Sequence, residues 1–153
     1  MNGAHLHLLV NHFPVMGLLF GLILLAVSLF PKQHSLKKAA LVTIILASLS
    51  TIVANSTGEA AEEIKEAIGN TNHELIHEHE ESAEVSLWLM LVVAGLAGGT
   101  LYLMRKSHPR SHLLQSATLG LGILVFFWLV QVYNLGGQIS HPEARPGFQV
   151  ESR

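Results

Sequence analysis

The stretch NHELIHEHEE, residues 72–81, sets three histidines and four glutamates into ten positions of an otherwise apolar chain. Within it, His73, Glu74 and His77 spell H-E-x-x-H. On a helix that spacing puts two imidazoles on one face, where they bind zinc while the glutamate activates a water. Residues of these types offer metal-assisted hydrolysis, metal capture or haem ligation. Helical phase separates the three.

At about 100° per residue, His79 shares a stripe with Ala83, Ser86, Met90, Ala94 and Ala97. Small residues in that pattern mark the face on which membrane helices pack. His73 and His77 fall on the opposite side with Glu81, Glu84 and Trp88. A charged face ending in tryptophan meets water and lipid headgroups. A zinc protease needs its pair in a cleft, with a third ligand and a bound water. The sequence therefore predicts a solvated helix end at His73 and His77, and no stand-alone enzyme.

Two further histidines join His79. His12 lies in Asn11-His12-Phe13-Pro14, where a proline without an N–H leaves irregular polar backbone nearby. His141 follows Gly136-Gly137-Gln138-Ile139-Ser140. If their elements end at the same face, His12, His79 and His141 converge. Ionisable groups at such depth are candidate functional sites. Two facing imidazoles hold a haem b iron axially. Three nitrogens with Glu80 or Glu143 suit zinc, copper or non-haem iron. Interfacial histidines bonded to backbone and water are the plain alternative. Gln131, Tyr133 and Asn134 offer bonds to a quinone or a haem propionate, or simple interfacial anchoring.

The elements that position these residues follow from composition. Half of the 153 residues are apolar and only 13 % are charged. Four apolar runs, about 8–30, 39–55, 83–104 and 113–136, each come near the ~20 residues that cross ~30 Å of hydrocarbon. They leave no room for a separate soluble domain, so residues 1–153 form one transmembrane domain. The first run lacks a basic leader and a small-residue cleavage site, and reads as a retained helix. Gly17 with Gly21, and Gly95 with Gly99, give G-x-x-x-G faces for close helix contact. Without cysteine there are no disulfides, thiolate metal sites or covalent c-type haem. Walker, dinucleotide and nucleophile-elbow motifs are absent.

Charge sets the orientation. Loops 31–38 and 105–112 carry six bases and no acid, while nine of the eleven glutamates lie in residues 59–84, from the connector to the start of span three. The positive-inside rule places both basic loops in the cytoplasm and both termini outside. Those bases follow from topology, so no nucleic-acid partner is expected. In the acidic connector, Ser56–Glu59 reads as a capping box opening a short amphipathic helix on the membrane surface, ended by Gly69. Thr71–Glu74 reads as a second box, opening a helix unbroken to Arg105. The expected fold is all-α: an integral membrane four-helix up-down bundle with a long acidic outer connector.

Three segments resemble the bacterial membrane family known as domain of unknown function 2231. They are HLLVNHFPVMGLLFGLILL, STGEAAEEIKEAI with IHEHEESAEVSLW, and NLGGQISHPEAR. The resemblance covers nearly the whole chain, and its matching positions are His12, His79 and His141. His5-Leu6-His7-Leu8 stands where the family has a His-Pro opening. The resemblance tilts the reading toward redox chemistry in the bacterial inner membrane. The expected function is haem-b electron transfer at the periplasmic face, between quinol and a periplasmic cytochrome, with other membrane subunits as partners. Metal binding without redox, and a structural accessory subunit, are the alternatives.

The orientation is testable by cysteine labelling of intact cells. Ser152→Cys should react with an impermeant reagent and Ser107→Cys should not; the reverse pattern would invert the topology.

Overall fold

Long runs of Leu, Ile, Val and Ala without internal proline favour helix, because every backbone N–H and C=O then pairs within the segment. The computed structural model describes residues 3–68, 72–145 and 147–148. Its elements are α1 (Gly3–Val10), α2 (His12–Val27), α3 (His34–Ser56), α4 (Gly58–Ile68), α5 (His73–Arg105) and α6 (Ser111–Ser140), with a 3-10 turn at Pro142–Ala144. No strand occurs among the described residues.

Four helical stretches, 3–27, 34–67, 73–105 and 111–140, are long and apolar enough to cross a bilayer. Only between 22 % and 33 % of their most apolar windows is buried within the protein. The remaining apolar surface is large: Phe13, Met16, Phe20, Leu46, Leu124 and Phe127 all lie exposed. Patches of that extent suit a membrane or the apolar surface of a partner.

The helices close a ring, α2 on α3, α3 on α5, α5 on α6 and α6 back on α2. Its core is Leu18, Leu25, Leu41, Ile44, Met90, Val93 and Val125. Glycines set the spacing on α2 and α6. A Cβ on Gly17 would lie 2.7 Å from the Cβ of Ala47, and one on Gly21 would lie 2.5 Å from Ile44 Cγ1. A Cβ on Gly122 would lie 2.6 Å from Leu22 Cδ2. The second G-x-x-x-G does not pack in this way. Nothing lies within 4 Å of a Cβ on Gly95, and Gly99 meets only Leu114.

Polar residues in the core satisfy themselves locally. Ser86, Thr100 and Thr118 each donate to the carbonyl four residues back, all at 2.8 Å. Trp128 Nε1 then donates to Ser86 Oγ at 3.1 Å, tying α6 to α5.

The ends of the helices differ from expectation in three places. Between α1 and α2, Asn11 keeps helical φ and ψ and donates to the His7 carbonyl at 2.9 Å, and Pro14 sits in the first turn of α2, where its missing N–H costs little. The Ser56–Glu59 capping box does not form. The Ser56 hydroxyl turns back on the Val53 carbonyl, and the Thr57 hydroxyl turns back on Val53 and Ala54, each at 3.0 Å. The apolar side of α4 is covered by α1, with Gly3 against Ala60. At α5 the cap is Asn72, whose Oδ1 accepts from Glu74 N at 3.1 Å and Leu75 N at 3.2 Å. Gly69 and Thr71 lie outside the described residues.

The two glycine motifs make opposite predictions. Gly21→Val should cost about 1–3 kcal/mol through overpacking, while Gly95→Val should stay within about 0.5 kcal/mol. Thermal melts of both variants in detergent measure the difference, and equal losses would refute the assigned packing faces.

Candidate functional site

The α5 helix buries Ile76, Ser86, Met90, Val93, Ala97 and Thr100, and His79 faces the same side. Its ring lies against Gly136, where an added Cβ would come within 3.1 Å of Cε1. His79 Nδ1 is 3.1 Å from the Val132 carbonyl. A carbonyl only accepts, so Nδ1 carries the proton in the neutral ring and Nε2 keeps its lone pair.

His73 and His77 are exposed. His73 Nδ1 meets Glu66 at 3.0 Å, and His77 Nε2 meets Glu81 at 3.3 Å, one turn along its own helix. Trp88, on the same side, is 63 % exposed. Neither imidazole of the H-E-x-x-H pattern is buried, and both already face a carboxylate.

The remaining predicted residues each have other partners. His12 is exposed and meets Tyr133 edge-on, with ring centroids 5.9 Å apart. His141 caps the end of α6 and is exposed, its Nδ1 3.0 Å from Glu143 Oε1 in the 3-10 turn. Hydrogen bonds from the Glu143 backbone N–H and from His141 hold the Glu143 carboxyl below its usual value. Glu80 hydrogen-bonds Glu62 on α4, which raises the Glu62 carboxyl above its usual value.

The expected convergence of His12, His79, His141, Glu80 and Glu143 on one metal is not found. Among the described residues no group of three or more His, Cys, Asp or Glu is placed to hold a metal ion. Each departure has a local cause. His12 starts α2 at an exposed rim, against Tyr133 of α6. His141 has left α6 and is held by the turn that follows. Glu80 is one residue from His79, hence ~100° around the helix, and faces α4.

A second half-buried histidine is one that phase analysis of α5 alone does not reveal. His7 on α1 is half-buried, its Nδ1 3.0 Å from the Ala54 carbonyl and 3.2 Å from Thr57 Oγ1. Ala54 lies in the last turn of α3, and its carbonyl also accepts from the Thr57 hydroxyl at 3.0 Å. The signal was present in the first span. His7 shares a helical stripe with Pro14, Leu18, Gly21 and Leu25, all buried. His12 shares the stripe of Met16, Phe20, Ile23 and Val27, all exposed.

No protein family, curated protein or solved structure matches the chain in comparisons of sequence and structure.

The opposed faces of α5 give a direct comparison. His79→Ala should cost about 1–3 kcal/mol through the lost hydrogen bond and contact with α6. His77→Ala should change stability by less than about 0.5 kcal/mol. Chemical unfolding of both variants checks this, and equal effects would contradict the assigned faces.

Proposed function

We propose that the chain is a multi-pass protein of the bacterial inner membrane that binds haem b at its histidine-rich end. It is read as an up-down four-helix bundle with both termini and the acidic connector on the periplasmic side. The likeness to domain of unknown function 2231 belongs to this reading and rests on the three quoted motifs. As part of a larger redox complex, the protein would pass electrons between quinol and a periplasmic cytochrome.

One observation carries the reading. His7 and His79 sit on different elements, and each is tied through Nδ1 to a backbone carbonyl. That bond fixes tautomer and ring orientation and leaves Nε2 as the ligating atom, the arrangement typical of metal-binding histidine. Two imidazoles suffice to hold a haem iron axially. Capture of zinc or copper by protein groups alone ordinarily needs three or four. A two-histidine arrangement therefore favours haem over a bare ion.

His7 and His79 would hold the iron, and haem would supply one-electron chemistry. The chain contributes orientation through the Ala54 and Val132 carbonyls. Gly136 contributes by leaving space for the His79 ring. His12, in contact with Tyr133 at the exposed rim, lies on the side from which a quinol or a partner subunit would approach.

A structural accessory subunit is the second reading, favoured by the His7 bonds to Ala54 and Thr57, which tie α1 to the end of α3. There the histidines would act only as ties between helices.

An optical spectrum of the complex purified from its own host separates the two. The haem reading expects a Soret band, lost or shifted in His7→Ala and His79→Ala and retained in His12→Ala. Loss in His12→Ala with retention in His7→Ala would move the ligand pair to His12 and His79. Wild-type protein with neither haem nor stoichiometric metal would leave the structural reading standing.

A further inference from the structure

The opposite end of the bundle, which carries both basic loops, holds a cavity of about 310 Å3 lined by Ser28, Lys32, His34, Lys37, His112 and Gln115, together with Leu29 and Phe30. Two lysines and two histidines line it, and no acid does. Gln115 is only 3 % exposed, and its Nε2 has no hydrogen-bond partner among the described residues. Leaving a buried donor unpaired costs the desolvation of that group, so a ligand acceptor at this position recovers what folding lost.

Three other features point to the sign of that ligand. Helices α3 and α6 both begin here, and their N-caps, Gln33 and Arg110, make no side-chain cap bond. Their first N–H groups therefore add positive potential at the cavity. Lys32 is one of two described non-glycine residues with positive φ, at 67°. Such backbone costs energy and is concentrated at binding sites.

We propose that this cavity binds the phosphate of an anionic phospholipid. Lys32 and Lys37 supply fixed charge, and the Gln115 amide donates a hydrogen bond to a phosphate oxygen. The helix starts orient further donors. Lipid is chosen over free phosphate because the same cavity is edged by apolar side chains open to the surroundings. Leu29 is 57 % exposed and Phe30 is 69 % exposed, a surface on which acyl chains can lie while the headgroup enters. The volume, roughly that of ten waters in the liquid, admits a small headgroup such as phosphoglycerol. Basic pockets between membrane helices recognise such headgroups by this chemistry. The proposal needs the bundle to be in a membrane, but it is independent of haem.

The test uses the full chain in nanodiscs of phosphatidylcholine containing a minor fraction of phosphatidylglycerol, with bound lipid counted by native mass spectrometry. Wild type should retain phosphatidylglycerol over phosphatidylcholine by about tenfold. Lys37→Gln should weaken that preference severalfold, and Gln115→Leu should weaken it without changing net charge. Lys106→Gln, which removes a neighbouring charge that does not line the cavity, should leave it intact. Millimolar inorganic phosphate should not displace the lipid. Equal retention of the two lipids by wild type overturns the proposal. Loss of preference in Lys106→Gln equal to that in Lys37→Gln overturns it too, since loop charge alone would then be the cause. Full displacement by inorganic phosphate makes free phosphate the ligand and rejects lipid.

Discussion

The contact of α2 with α3 at Gly17 and Gly21 fixes the register on which both ends of the molecule depend. Between helices in lipid there is no hydrophobic driving force, so close van der Waals contact has to replace it. A side chain at Gly21 would strike Ile44, and one at Gly17 would strike Ala47. Contacts that climb α2 while descending α3 therefore permit one alignment. That alignment brings α1 beside the end of α3, so His7 reaches the Ala54 carbonyl. At the other end it folds residues 28–33 over the start of α3, where the basic cavity lies.

The two ends are complementary in what they leave unpaired. At the histidine-rich end Asn11 Oδ1 is buried without a partner, and at the basic end it is Gln115 Nε2. One end thus offers an acceptor beside imidazole lone pairs, and the other offers a donor among cations. Between them the core hydroxyls of Ser86, Thr100 and Thr118 return to their own helices and offer nothing to a ligand. The apolar middle separates two regions suited to opposite kinds of chemistry.

The helices were legible because hydropathy and the absence of internal proline are local properties. The split faces of α5 were legible because small residues and charges alternate along it at helical spacing. His79 and the outward His73 and His77 were read correctly from phase alone. Chain position carries no such information about facing: His12 and His141 both stand exposed. Gly95 and Gly99 matched a packing motif by spacing, but nothing crowds Gly95, because spacing does not say which face a neighbour occupies. His7 escaped notice although the buried stripe through Leu18 and Leu25 passes over it. Gln115 was hidden inside an apolar run, where a lone glutamine carries no periodic signal.

The missing N–H of Pro14 has a mechanical consequence. Pro14 has no N–H to offer the Val10 carbonyl, so the junction of α1 and α2 has lost a backbone tie that resists bending. Below it, α2 is locked into α3 by glycine contacts. Above it, α1 is joined to α4 as a small cap with few anchors in the core. His7 rides on that cap, whereas His79 belongs to the long rigid post of α5. The position of His7 is therefore set by that joint and by its bonds to Ala54 and Thr57 rather than by a packed core. A load on α1 would be carried to the end of α3 through one imidazole.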